Sequence, residues 1–188
     1  MEKMSPEHIA DEIMNAYLDR GKEIYFGESI TQIEHACQAA AFAINDGQDS
    51  EIILAAFLHD YGHLIDNTPE NQMDTFGVKN HEAIGAQKLV EFGFSESVII
   101  LVNSHVEAKR YLCFANKRYF ENLSEASKRT LEFQGGPMSQ QEAKLFEENP
   151  LKNLIIKMRT WDEAAKQENI PLPDLNSFRR LIVAHLNR

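Results

Sequence analysis

Seven histidines occur among the 188 residues, and four of them form one pattern with two aspartates. The order is His35, the doublet His59-Asp60, then His81, His105 and, well downstream, Asp162. Imidazole and carboxylate are ligands for transition metals, and a set built without thiolate suits iron or manganese better than a structural zinc site. Six such residues oversupply a closed zinc site, which takes four ligands. They are a natural supply for two ions that share one carboxylate. Neighbours on a helix diverge by about 100°, so His59 and Asp60 cannot both point straight at one spot. They can grip one ion at a helix end, and the two oxygens of Asp60 allow it to reach a second. Taken singly, each histidine reads as an ordinary core or surface residue; it is the joint pattern over successive helices that implies metal. His8 and His185 lie near the termini, outside the pattern.

The six residues have companions at helical spacing. His63 is four residues after His59, Lys109 four after His105, and Arg159 three before Asp162. Residues three or four apart share a helix face, so these side chains are expected beside the metals. Lys109 and Arg159 would make a cationic pocket for an anion, a phosphate or a phosphonate; the alternative is that both are solvated surface charges. Ser127, Thr130 and Gln134 fall on one polar face of a later helix, able to hold anion oxygens or simply to face water.

The elements that must carry these residues read as helices almost throughout. Ser5-Pro6 starts the first, with Pro at its first position, and Gly21 ends it. Residues 22–30 show no period and read as a loop. Thr31-x-x-Glu34 is a capping box opening the helix of His35, which stops at Gly47. Asp49 caps EIILAAFLHDYG, a run apolar nearly all round and so expected at the centre. Residues 64–79 read as a polar loop. Asn80 and Ser95 are candidate caps for the helices of His81 and His105, the latter with a possible break near Glu107. A helix over 123–134, a second capping box at Ser139 and Glu142, a long helix bearing Asp162 and a last helix after Pro173-Asp174 complete the pattern. The expectation is an all-α protein, an irregular helical bundle in a single domain over 1–188.

Bulk properties narrow the partners. The formal net charge is −10, which argues against a nucleic-acid groove but leaves room for a locally cationic pocket. Cys37 and Cys113 sit among apolar or small neighbours and read as reduced core thiols. The sequence shows no apolar leader and no run of about 18 apolar residues. The expected setting is therefore cytoplasmic, with no membrane.

The H…HD…D skeleton resembles the HD-domain superfamily of metal-dependent phosphohydrolases. The two added histidines resemble its oxygenase branch, mixed-valent diiron enzymes that include myo-inositol oxygenase. Within that branch the chain is most similar to the members that cleave a carbon–phosphorus bond, through IYFGESITQIEHACQAA, AAFLHDYGHL, NHEAIGA, SHVEAKRYL, SEASKRTLEFQGGPMSQQE and MRTWDEAAK. The resemblance implies an HD-type bundle and an Fe(II)/Fe(III) pair. One iron would be held by His35, His59, Asp60 and Asp162, the other by Asp60, His81 and His105. It implies O2 and a small hydroxylated aminophosphonate, (R)-2-amino-1-hydroxyethylphosphonate, as reactants, with the substrate chelating the second iron. Glycine and phosphate would be the products. It also implies that Tyr25 fills the open iron position before substrate arrives and that Glu28 reads the ammonium. His63, Lys109, Ser127, Thr130, Gln134 and Arg159 would form the phosphonate side. Without the resemblance, Tyr25 and Glu28 read as solvent-facing loop residues. The competing readings are a nucleotidase-like phosphohydrolase that activates water on the same metals, and a degenerate module that only binds.

Overall fold

The computed structural model describes residues 4–25 and 27–188. Residues 1–3, and Phe26 within the YFGE lead-in, lie outside the described residues. The described chain contains eleven α-helices and no strand beyond isolated bridges, an all-α fold. The helices are α1 (Pro6–Asp19), α2 (Gln32–Asn45), α3 (Ser50–Leu58), α4 (Tyr61–Ile65), α5 (His81–Phe92), α6 (Glu96–Ala115), α7 (Lys117–Asn122), α8 (Glu125–Phe133), α9 (Gln140–Glu147), α10 (Lys152–Ala164) and α11 (Leu175–Leu186).

The most apolar helix is the central one. Leu54, Ala55, Ala56, Phe57 and Leu58 of α3 are all fully buried, between α2, α6 and α11 and in touch with α10. Apolar residues on every face leave no side for water, so burial on all sides is the stable placement. Aromatic residues lock the neighbours on: Phe57 stacks on Phe178 of α11 at 4.1 Å, and the Tyr17 hydroxyl of α1 donates to the Phe57 carbonyl at 2.7 Å. One apolar cluster runs from Ile9 to Ile182, with a small satellite of Cys113, Leu123 and Leu131. Both cysteines are buried and unpaired. No helix among the described residues is long and apolar enough to cross a membrane.

Local signals set where the site-bearing helices begin. Both capping boxes are formed, with Thr31 and Glu34 opening α2 and Ser139 and Glu142 opening α9. Asp49 caps α3 by accepting from Glu51 and Ile52. Two expected caps behave otherwise. Asn80 takes a left-handed conformation (φ 57°) with no side-chain cap, so the chain turns sharply into His81. Ser95 makes no cap bond; its backbone N–H donates to His185 Nε2 at 3.1 Å.

The helix of His105 is unbroken through Glu107, since residues 96–115 contain neither Gly nor Pro. The stretch after it forms α7, capped by Asn116. The helix expected over 123–134 starts behind Ser124 and leaves Gln134 as its cap residue. The loop after α4 is not simply polar surface. It is tied by Met73 N–H to Gly77 carbonyl at 2.7 Å and buries Met73 and Val78.

Candidate metal centre and substrate cavity

Each ligand-type side chain arrives from a different position in the fold. His35 lies in the first turn of α2, His59 ends α3, His81 begins α5, His105 lies midway along α6 and Asp162 lies near the end of α10. Asp60 occupies the break between α3 and α4, with φ −101° and ψ 12°. That break resolves the divergence of neighbouring residues. Asp60 has left the path of α3, so its Oδ2 comes 3.4 Å from His59 Nε2.

The backbone fixes all four imidazole tautomers. Nδ1 meets a carbonyl oxygen in each: Ala165 for His35, Ala56 for His59 and Val102 for His105, all at 2.8 Å, and Val78 for His81 at 3.1 Å. A carbonyl only accepts, so Nδ1 carries the hydrogen and Nε2 offers a lone pair. These lone pairs converge, His35 on His59 at 3.0 Å and His81 on His105 at 2.9 Å. Facing lone pairs repel, so a cation belongs between them, either a proton or a metal ion.

Asp60 faces both pairs. Its Oδ1 lies 3.2 Å from His81 Nε2 and 3.4 Å from His105 Nε2, while its Oδ2 lies 3.5 Å from His35 Nε2. Asp162 Oδ1 lies 3.4 Å from His35 Nε2 and 3.8 Å from His59 Nε2. Ligand atoms bonded at about 2.0–2.2 Å to one ion stand roughly 3 Å apart, which matches the shorter of these separations. Asp60 Oδ2 and Asp162 Oδ1 are buried without a hydrogen-bond partner among the described residues, a costly arrangement unless a cation compensates it. Two groups therefore fit metal ions: His35, His59 and Asp162, with Asp60 Oδ2 beside them, and Asp60, His81 and His105.

The electrostatics agree. Burial pushes the Asp60 carboxyl up, but His59 and the other histidines outweigh it and hold it well below the ordinary carboxylate range. Burial likewise raises Asp162, while Arg159, His35 and His59 hold it well below. Burial lowers His59, but Asp60 and Asp162 prevail and raise it to about 9. A proton can thus take the place of a metal charge between these groups, and metal binding would release it.

A tight cavity of about 40 Å³ opens against this centre. Tyr25, Glu28, His63, Lys109, Ser127, Thr130, Gln134 and Arg159 all border it, together with Asp60, His81, His105 and Asp162. Tyr25 stacks on His35 at 3.9 Å; burial and the Asp60 and Asp162 carboxylates push its phenol well above the ordinary value. His63 accepts the Val78 N–H on Nδ1 at 2.9 Å, which places its own hydrogen on Nε2. Burial, helped by the neighbouring His81, holds His63 well below its ordinary pKa, so it is a neutral donor.

Lys109 and Arg159 are only 4% and 5% exposed, which overturns the surface-charge alternative. Lys109 Nζ donates to Thr130 Oγ1 at 2.9 Å. Burial, reinforced by Arg159, pushes its ammonium down to about 7, against the pull of Asp162 and Asp60. Arg159 does more than face an anion. It pairs with Asp162 Oδ2, donates to Glu163 Oε1 at 2.8 Å and to the Tyr119 hydroxyl at 3.0 Å. By gripping Oδ2 it turns Asp162 Oδ1 toward the histidines. Glu28 is ion-paired, accepting from Lys166 Nζ at 2.7 Å.

Sequence reasoning missed Lys166, Tyr119 and two glycines. Lys166 is four residues after Asp162 but lies past the end of α10, so helical spacing does not place it. Gly62 and Gly85 sit inside helices, where glycine is destabilising and marks a close approach. The reason is visible here: a Cβ on Gly62 would stand 2.0 Å from the His81 carbonyl oxygen.

The fold and this cluster define an HD-domain protein, and residues 32–172 match the HD domain family. The chain is 43% identical over 161 residues to a hydroxymethylphosphonate dioxygenase of Gimesia maris, covering 85% of this chain and 79% of that protein. It is 40% identical over 180 residues to a [1-hydroxy-2-(trimethylamino)ethyl]phosphonate dioxygenase (glycine-betaine-forming) of Leisingera caerulea, covering 96% and 91%. An uncharacterized protein of Acanthamoeba polyphaga mimivirus is 42% identical over 176 residues, covering 93% and 80%. The chain belongs to the HD-domain family and, within it, to the group of HD-domain phosphonate oxygenases.

Proposed function

We propose that this chain is an O2-dependent dioxygenase that cleaves the carbon–phosphorus bond of a 1-hydroxyphosphonate at a dinuclear iron centre. The observation that carries the reading is Asp60, whose two oxygens each face a different pair of histidine lone pairs. His35, His59, Asp60 and Asp162 would hold one ion and Asp60, His81 and His105 the other. The nitrogen and oxygen donor set suits iron, and an Fe(II)/Fe(III) pair would supply the redox chemistry at which substrate and oxygen meet.

The protein's own groups do the rest. His63 Nε2–H, Lys109, Ser127, Thr130 and Gln134 line the side of the cavity that would take the phosphonate oxygens. Arg159 positions Asp162 and adds positive charge there. Tyr25, stacked on His35, would block the centre until substrate displaces it. Phosphonate burial beside Lys109 would stabilise the lysine's charged form.

The two relatives named as dioxygenases act, by those names, on phosphonates that differ in the amine: one is trimethylated and one has none. In this chain the Glu28 carboxylate already accepts from a primary ammonium, that of Lys166. A carboxylate at this place could pair with a substrate amine able to donate hydrogen bonds in exchange for the lysine, and we take (R)-2-amino-1-hydroxyethylphosphonate as the substrate. Its reaction with one O2 gives glycine and phosphate with atoms in balance.

The test is oxygen consumption by iron-loaded protein with the aminated, trimethylated and amine-free 1-hydroxyphosphonates. The proposal expects turnover to be fastest with the primary amine. Phosphate release from a phosphomonoester without oxygen uptake would instead select a phosphohydrolase.

A further inference from the structure

Lys166 belongs to no group that the proposed reaction requires, yet it sits at the threshold of the site. It borders the buried cavity and also an outer cavity of about 570 Å³ that reaches Asn122 and Glu163. Its ammonium contacts Glu28 Oε1 at 2.7 Å, Ser127 Oγ at 3.3 Å and Ser124 Oγ at 3.4 Å. Three acceptors match the three donors of a primary ammonium. The pair is half-buried, with side-chain exposures of 18% for Lys166 and 17% for Glu28, so the charges are only partly screened by water.

We propose that Lys166 is a selectivity residue, a built-in ammonium that occupies the subsite of a substrate amine and competes with it for Glu28. The inference rests on the phosphonate reading of the cavity and extends it. A substrate with a primary amine must exchange its own ammonium for that of Lys166, which then turns toward Glu163 in the outer cavity. A substrate with no amine leaves the pair in place. For that substrate Lys166 is useful, because an unpaired Glu28 carboxylate would repel the phosphonate dianion nearby. One lysine thus weakens binding of the aminated ligand and supports binding of the amine-free one.

Removing the charge should therefore move the two ligands in opposite directions. Lys166→Met keeps an unbranched chain only one atom shorter and loses the ammonium. Losing one charge-assisted hydrogen bond changes affinity by about tenfold. Anaerobic calorimetry on iron-loaded protein would compare 2-amino-1-hydroxyethylphosphonate with hydroxymethylphosphonate, and KM values in air would follow. We expect the aminated ligand to bind about tenfold tighter in Lys166→Met and the amine-free ligand about tenfold weaker. Lys166→Arg should stay near wild type in the ranking of the two.

A merely structural lysine would weaken both ligands together, and that result overturns the inference. Unchanged affinities overturn it too, as does a wild-type protein that binds neither phosphonate. If wild type binds both and consumes no oxygen with either, the dioxygenase reading fails while the opposed shifts still decide the role of Lys166.

Discussion

Gly62→Ala probes whether the helix junction at the HD doublet is built to the tolerance of a metal site. The added Cβ would meet the His81 carbonyl oxygen at 2.0 Å, its carbon at 2.8 Å and the Gly85 nitrogen at 3.0 Å. An ordinary carbon–oxygen contact is roughly 3.3 Å, so α4 and α5 must separate by about 1.3 Å. The obstacle is backbone at the start of a helix, which cannot swing aside as a side chain can. Overpacking typically costs 1–3 kcal/mol, and we expect about 3 kcal/mol here. At about 2–4 °C per kcal/mol for a chain of this size, Tm should fall by roughly 6–12 °C.

The chemical effect should be more selective than the thermal one. His81 moves with α5, and its Nε2 is 3.2 Å from Asp60 Oδ1 and 2.9 Å from His105 Nε2. Metal–ligand distances tolerate about 0.2 Å, so the ion at Asp60, His81 and His105 should be lost. The group at His35, His59 and Asp162 draws on α2, α3 and α10 and should keep its ion. Thermal melting together with metal analysis after anaerobic iron loading reads both effects. Two ions per chain with a Tm within a degree or two of wild type would refute the reasoning.

Lys109→Ala should raise the apparent substrate constant by about ten- to a hundredfold, the scale of a hydrogen bond to a charged group, with metal content unchanged. Arg159→Ala should instead lower metal content, because it frees the Asp162 carboxylate that the guanidinium orients; full metal loading of that variant would show Arg159 to be an anion contact alone. His185 gives a pH-dependent stability. Burial, aided by Arg188 and opposed by Glu51, lowers its pKa, and its Nε2 must stay unprotonated to accept the Ser95 N–H. The unfolded ring titrates near 6.5, so this contribution is complete above about 6.5 and declines as pH falls through the lower folded value. Hydrogen exchange in α11 should accelerate over that interval in wild type and much less in His185→Gln; equal acceleration in both would contradict the assignment.

Much of the fold and the centre was legible because it depends on local signals. Capping residues announce α2, α3 and α9, the apolar run announces the central helix, and helical spacing places Lys109 and Arg159 at the cavity; His63 reaches it from α4, beyond the break at Asp60. What sequence could not supply was direction across space. Nothing near Ser95 in the chain indicates that its N–H is reserved for His185, ninety residues away. Likewise, the pairing of Glu28 with Lys166 joins the α1–α2 loop to the end of α10. Two oxygens on Asp60 allow it to face both histidine pairs, but the break in the helix that aims them is a tertiary feature. Arg159 shows the limit of spacing rules, which place it near the histidine cluster without revealing that it grips Asp162.

Isotopic labelling tests the central claim most directly. Iron-loaded protein would be incubated with 2-amino-1-hydroxyethylphosphonate under labelled O2, and phosphate and glycine analysed by mass spectrometry. A hydrolase would take its oxygen from metal-activated water. The dioxygenase account predicts one atom of label in phosphate and one in the glycine carboxylate. Products formed without oxygen, or phosphate labelled only from water, would contradict it.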